Sequence, residues 1–184
     1  MVNNSKEKKL QEIAREIENC KVCKVGKHGK AVPGEGNANA DILFVGEAPG
    51  RTEAETGRPF VGRSGKLLRK LINESGLNEE EVYITSPVKY LPDYITPKPS
   101  DIEHGFIHFG KQIDIINPKV IVLLGRVACL AVLKQNISVV LRHGEILEEN
   151  GRKYFITVHP AAALRFTKMK TILVEDFKAL KKLM

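Results

Sequence analysis

Residues 119–125 read Lys-Val-Ile-Val-Leu-Leu-Gly, an unbroken apolar run between a lysine and a glycine. A strand with one wet face alternates apolar and polar side chains. A strand that is apolar at every position has both faces covered, as in the middle of a parallel sheet flanked by helices. Ile42-Leu-Phe-Val45 repeats the pattern, and Val82–Thr85 and Tyr154–Val158 are shorter versions of it. The segments between these runs carry helical spacing: Leu10, Ile13, Ala14 and Ile17 in 6–19; Leu67, Leu68, Leu71 and Ile72 in 65–75; Ile102, Phe106, Phe109, Ile113 and Ile116 in the helix that Ser100 or Asp101 is expected to cap. Helices over 126–134 and 169–184 complete the series, and a small hairpin is expected around Asn150-Gly151. Strands alternating with helices predict an α/β fold, a single domain over 1–184 with a parallel central sheet.

Composition narrows the function classes. A chain of 184 residues that is 42% hydrophobic can bury a real core. No apolar run approaches the roughly 20 residues of a membrane span, and the charged start MVNNSKEKKLQE lacks the apolar centre of a secretion signal. Three cysteines cannot all pair with one another, so a reducing, cytoplasmic location is expected; separately, no membrane partner and a monomeric state are expected. The net charge of +7 favours a polyanionic partner.

Ligands of parallel sheets collect beyond the carboxyl ends of the strands. Three segments there are unusual: Gly46–Gly65, too long for a mere connector; Ser86–Ser100; and His159-Pro-Ala-Ala-Ala-Leu-Arg165. They bring Glu47, Glu53, Phe60, Ser86 and His159 forward as site residues. A phosphate loop would carry G-K-[ST] or G-x-G-x-x-G; here Gly46-Glu-Ala-Pro-Gly50 holds an acid and a proline, which argues against a nucleotide-binding enzyme.

The stretches AVPGEGNANADILFVGEAPG, TGRPFVGRSGKLL, INPKVIVLLG and VHPAAALR, in this order and spacing, resemble the family 4 uracil-DNA glycosylases, the thermostable iron–sulfur branch of that superfamily. The likeness runs from Cys20 to about Phe166. It implies a four-stranded parallel sheet flanked by helices, and base-excision repair of uracil, or another deaminated base, flipped out of DNA. In that reading GEAPG is one wall of a base pocket. The resemblance implies that Gly46, Glu47, Ala48, Phe60, Ser86 and His159 hold the base, with Phe60 stacking on it and His159 donating to the negative charge that develops as the base leaves. Glu47 and Glu53 are the acids expected to orient or activate water or offset charge on the sugar, Glu47 on the base side and Glu53 on the water side. Arg63, Ser64, Arg165, Lys168 and Lys170 are the expected DNA-facing residues. Plainer readings stand beside these: a histidine ending a strand in a turn, a core phenylalanine, solvated loop acids, a basic solvated loop.

Two positions depart from the family. Its 4Fe–4S cluster needs four cysteines; Cys20 and Cys23 supply a C-x2-C pair, but Tyr90 and Gly105 occupy the other two places. The pair is therefore read as the remnant of a cluster site, and no cofactor is expected. A Cys2His2 zinc site drawing on His28, His104 or His108 is the alternative, and Cys129 is expected to be a small core residue. The second departure is Ser86, where the family has an asparagine reading the polar edge of uracil. A hydroxyl offers one oxygen where an amide can donate and accept at once. The competing functional reading is accordingly a DNA-binding relative with impaired or lost catalysis.

Overall fold

The computed structural model describes residues 3–94, 96–149 and 151–183. In chain order the elements are α1 (Asn3–Asn19), α2 (Lys21–Lys24), β1 (Lys27–His28), β2 (Glu35–Gly36), β3 (Ile42–Val45), α3 (Arg51–Thr56), α4 (Arg63–Glu74), β4 (Val82–Thr85), β5 (Leu91–Pro92), α5 (Pro99–Ile116), β6 (Val120–Leu124), α6 (Arg126–Leu133), α7 (Val139–Arg142), β7 (Ile146–Glu149), β8 (Arg152–Thr157), α8 (Pro160–Ala163) and α9 (Thr167–Lys181).

The main sheet has the order β2-β4-β3-β6-β8-β7. Its inner strands β4, β3, β6 and β8 are parallel, as the apolar runs predict. The sheet is nonetheless six-stranded rather than four-stranded, because β2 and β7 add an antiparallel strand at each edge. Neither edge strand carries an apolar run: β2 is Glu-Gly and β7 is Ile-Leu-Glu-Glu, polar sequences suited to an edge that must not template further pairing. The β7–β8 hairpin lies where it was expected, although Asn150 of its turn falls outside the described residues.

Every residue of β3 and β6 is buried, with Leu43, Phe44, Val45, Ile121, Val122, Leu123 and Leu124 at 0% exposure. Each such side chain contributes roughly 1.5–3 kcal/mol relative to leaving it in water. Leu68, Leu71 and Ile72 of α4 and Ile172, Leu173, Phe177 and Leu180 of α9 pack into the same core, and Cys129 is buried there as a small apolar residue. A smaller cluster under α1 joins Ile13, Ile17, Cys23 and Tyr90. The start of α5 differs from expectation. Lys98 is the N-cap and Pro99 the first helical residue, while Asp101 reaches back to accept the Lys98 N–H at 3.0 Å, so the acid caps from inside the first turn.

The register places three strand ends together. Val45 pairs with Thr85, the Gly46 N–H donates to the Thr85 carbonyl at 2.9 Å, and the Gly125 N–H donates to the Thr157 carbonyl at 2.9 Å. Gly46, Ser86 and His159 therefore leave the sheet at the same end.

Candidate active site

A cleft of about 830 Å³ opens over those strand ends. Glu47, Ala48, Glu53, Phe60, Ser64, Ser86, His159 and Arg165 all line it, so residues up to 118 positions apart in the chain converge as the sequence predicts. Gly46 is buried and is not among the lining residues. Arg63, Lys168 and Lys170 are exposed and are not among the lining residues.

Phe60 is held from three sides. Its backbone sits at φ +50°, a left-handed conformation that costs a bulky residue about 1–3 kcal/mol. Arg69 donates to the Phe60 carbonyl at 2.9 Å and to that of Pro59 at 2.8 Å. A Cβ on Gly65 would lie 2.0 Å from the Phe60 carbonyl carbon, and one on Gly46 would lie 2.5 Å from the tip of its ring. Only glycines permit this approach, and the ring comes to rest 5.9 Å from that of His159, tilted by 33°.

Glu53 also has a structural task within the loop. It is 9% exposed. One carboxylate oxygen accepts from Val61 and Gly62 N–H at 2.9 and 2.7 Å, and the other accepts from Gly50 N–H at 3.1 Å. Those bonds staple the GEAPG loop to the turn after Phe60, and the long loop owes its shape to them and to α3, a helix that periodicity over six residues could not reveal. Glu47, by contrast, makes no hydrogen bond to the described residues. Burial raises its pKa, with Arg126 partly offsetting this.

His159 caps α8: its Nδ1 accepts the Ala161 N–H at 3.1 Å, which leaves the ring proton on Nε2. Burial lowers its pKa to about 4, so the ring is neutral at pH 7. Ser86 is 5% exposed, and its hydroxyl donates to the Val88 carbonyl at 2.8 Å. With its proton spent there, the Ser86 oxygen can only accept from a ligand. Exposed Leu164 and Phe166 follow the histidine, and Phe166 lines the cleft; sequence reasoning passed over both, although apolar residues in a basic loop are a readable signal. Arg69 was also missed, because it reaches the site through the Pro59 and Phe60 carbonyls while pairing with Glu35 and Glu79.

Residues 33–181 match the Uracil DNA glycosylase superfamily. The chain belongs to that superfamily. Among its relatives are type-4 uracil-DNA glycosylases of Saccharolobus solfataricus (42% identical, covering 94% of this chain and 85% of the relative), Sulfurisphaera tokodaii (40%, covering 95% and 84%) and Thermotoga maritima (38%, covering 96% and 95%).

The residues present here do not fit the four-cysteine cluster that the resemblance implies. The Tyr90 side chain is 3% exposed within the small cluster under α1, and its hydroxyl donates to the Ile17 carbonyl at 3.1 Å. At Gly105 a Cβ would lie 2.2 Å from the Pro87 carbonyl oxygen, so the helix runs too close to the 86–88 turn for any side chain. What surrounds the C-x2-C pair instead is imidazole: Cys20 Sγ lies 3.1 Å from His104 Nε2, and Cys20, Cys23, His104 and His108 form one group. The expectation of no cofactor thus meets a donor set able to hold a metal ion. His28 is not part of it, being paired with Asp93. Burial would raise the Cys20 thiol, but hydrogen bonds from His108 and His104 bring it down to about 6, whereas burial pushes Cys23 up to about 12. Behind the Ser86 turn, Lys89 is buried against Pro33, Thr85 and Gln112 acceptors at 2.7–2.9 Å, with burial lowering its pKa to about 7. Among the described residues no helix is long and apolar enough to cross a membrane.

Proposed function

We propose that this protein is a DNA glycosylase that hydrolyses the N-glycosidic bond of uracil extruded from DNA. The observation that carries the reading is the neutral imidazole of His159, with its proton on Nε2, facing the cleft beside the ring of Phe60. As the bond breaks, the sugar becomes oxocarbenium-like and the base acquires negative charge. A preorganised neutral donor stabilises that charge through a hydrogen bond without itself giving up the proton. Phe60 supplies the face on which the base stacks. Ser86 accepts from the ring N3–H, which uracil has and cytosine lacks; this discriminates the two bases with one oxygen. Glu47, which makes no side-chain hydrogen bond among the described residues and has a raised pKa, orients the attacking water or opposes positive charge on the sugar. Glu53 acts through the loop it clamps. Arg63, Ser64, Arg165, Lys168 and Lys170 bind phosphates, and Leu164 and Phe166 suit the gap left by an extruded base.

The test is incubation with single- and double-stranded oligonucleotides carrying uracil, hypoxanthine or xanthine, followed by alkaline cleavage at abasic sites. Uracil-dependent cleavage is expected. Binding to every oligonucleotide with no cleavage of any would overturn the glycosylase reading in favour of a DNA-binding relative without catalysis.

A further inference from the structure

The group formed by Cys20, Cys23, His104 and His108 lies outside the cleft and takes no part in the chemistry proposed above. Two short motifs build it. Cys20 and Cys23 frame the single turn of α2, where the Cys23 N–H donates to Cys20 Sγ at 3.4 Å. His104 and His108 stand four residues apart on α5 and so share one face of that helix. The two motifs are 84 residues apart between Cys20 and His104, yet all four ligand atoms lie within 4.8 Å of one another.

That spacing discriminates between metal centres. Around one zinc ion with Zn–S bonds of about 2.3 Å, tetrahedral ligand atoms are separated by about 3.8 Å. A 4Fe–4S cubane hangs its four ligands on four different irons and needs them spread around a much wider body. Four atoms already inside 4.8 Å match the single ion after small side-chain adjustments. The donor chemistry agrees, since two thiolates and two imidazoles in C-x2-C and H-x3-H spacing make a closed tetrahedral set of the structural zinc type.

Two further observations point to a ligand. His108 is 7% exposed, and its buried Nδ1 makes no hydrogen bond among the described residues, so the ring is not locked on that side. Glu16 Oε2 stands 3.6 Å from that nitrogen, the arrangement in which a carboxylate orients a metal-bound imidazole. On the other side, a cleft of about 220 Å³ lined by Cys23, Lys27, Asp101 and His104 gives an ion a way in.

We propose that Cys20, Cys23, His104 and His108 bind one zinc ion as a structural centre, in the region where type-4 relatives hold an iron–sulfur cluster. The donor lost at Gly105 is replaced by its neighbour His104 and by His108 one turn further on, and the donor lost at Tyr90 is replaced by packing. The ion ties the end of α1 and α2 to α5, closing a long loop, and so fixes the β1–β5 ladder at the edge of the Ser86 loop.

The test uses the full chain and reads metal, not excision, so it stands or falls separately from the glycosylase reading. Protein purified without chelator is expected to carry one zinc per chain. After the zinc is stripped, one equivalent of cobalt should restore it spectroscopically, with the intense visible bands of tetrahedral thiolate-bound cobalt, and the melting temperature should rise. His104→Ala changes a partly exposed side chain and should still fold, losing zinc affinity by more than the about 10–100-fold typical of a missing outer partner. Glu16→Gln should retain one site with affinity lower by about 10-fold. His28→Ala should bind as wild type does. Zinc far below one equivalent with a silent cobalt titration, His104→Ala binding like wild type, or stoichiometric iron and sulfide would each overturn the proposal.

Discussion

At position 86 one hydroxyl stands where the family resemblance leads one to expect an amide. Its proton is committed to the Val88 carbonyl, so it contributes a single acceptor to the base edge. Ser86→Asn should raise single-turnover excision of uracil, because an amide extending from this turn can accept from N3–H and donate to O4 together. His159→Ala should lower excision by about 10²–10³-fold, the scale of losing a donor to developing negative charge. Equal rates for wild type and His159→Ala on the same uracil oligonucleotide would remove the histidine from the mechanism. The same residue links stability to pH. Its pKa falls from 6.5 to about 4 on folding, so between those values the unfolded chain binds more protons than the folded one. Stability therefore rises with pH through this window; the contribution is complete above 6.5 and is lost as pH falls through about 4, amounting to about 3 kcal/mol. Urea titrations from pH 4 to 7 on wild type and His159→Gln should show this difference, and parallel profiles for the two would contradict it.

The segment from Gly46 to Gly65 works as one element although it joins irregular turns to α3 and the start of α4. Glu53 pins its start to its end, α3 fills its middle, and Phe60 is presented at its tip in a strained backbone conformation. The two glycines that admit Phe60 should fail differently. A Cβ at Gly65 strikes backbone, which cannot step aside, so Gly65→Ala should cost roughly 1–3 kcal/mol of stability as well as activity. A Cβ at Gly46 strikes only the tip of a ring that can swing. Gly46→Ala should melt close to wild type yet excise uracil about 10²-fold more slowly, the scale of misplacing a contact by about 1 Å. Thermal melts paired with single-turnover rates separate the two cases, and normal excision by Gly46→Ala would show that the Phe60 position is not critical.

Over the whole molecule, a net charge of +7 has to be matched to a surface. Arg63 at the start of α4, Arg165 beside the cleft, and Lys168 and Lys170 on α9 are all exposed. Affinity for undamaged duplex should fall linearly in log–log form with salt, with a slope near one unit per phosphate contact. Arg165→Ala and Lys168→Ala should each flatten that slope by about one unit and weaken binding alike across sequences. Fluorescence anisotropy at several salt concentrations checks this; a salt-independent affinity would place the DNA-facing surface elsewhere.

The inner strands and most helices follow from local pattern alone: five successive apolar residues can only be buried on both faces, and a 3.6-residue stripe can only face one way. The convergence of Glu47, Phe60, Ser86 and His159 was likewise legible, because parallel strands deliver their carboxyl ends to one side. What the chain could not disclose is what depends on atoms meeting across it. Edge strand β2 is a glutamate and a glycine that pair only because β4 is already there. The inward turn of the Glu53 carboxylate exists because backbone N–H groups from three positions close around it, and nothing in its sequence neighbourhood announces them. Choosing His104 and His108 over His28 required knowing which face of α5 lies against the end of α1. Sequence determines which side chains can carry chemistry and the order of the elements that bear them. Tertiary packing alone decides which of those groups share a few ångströms, because hydrogen bonding and metal coordination act at distances that chain separation does not encode.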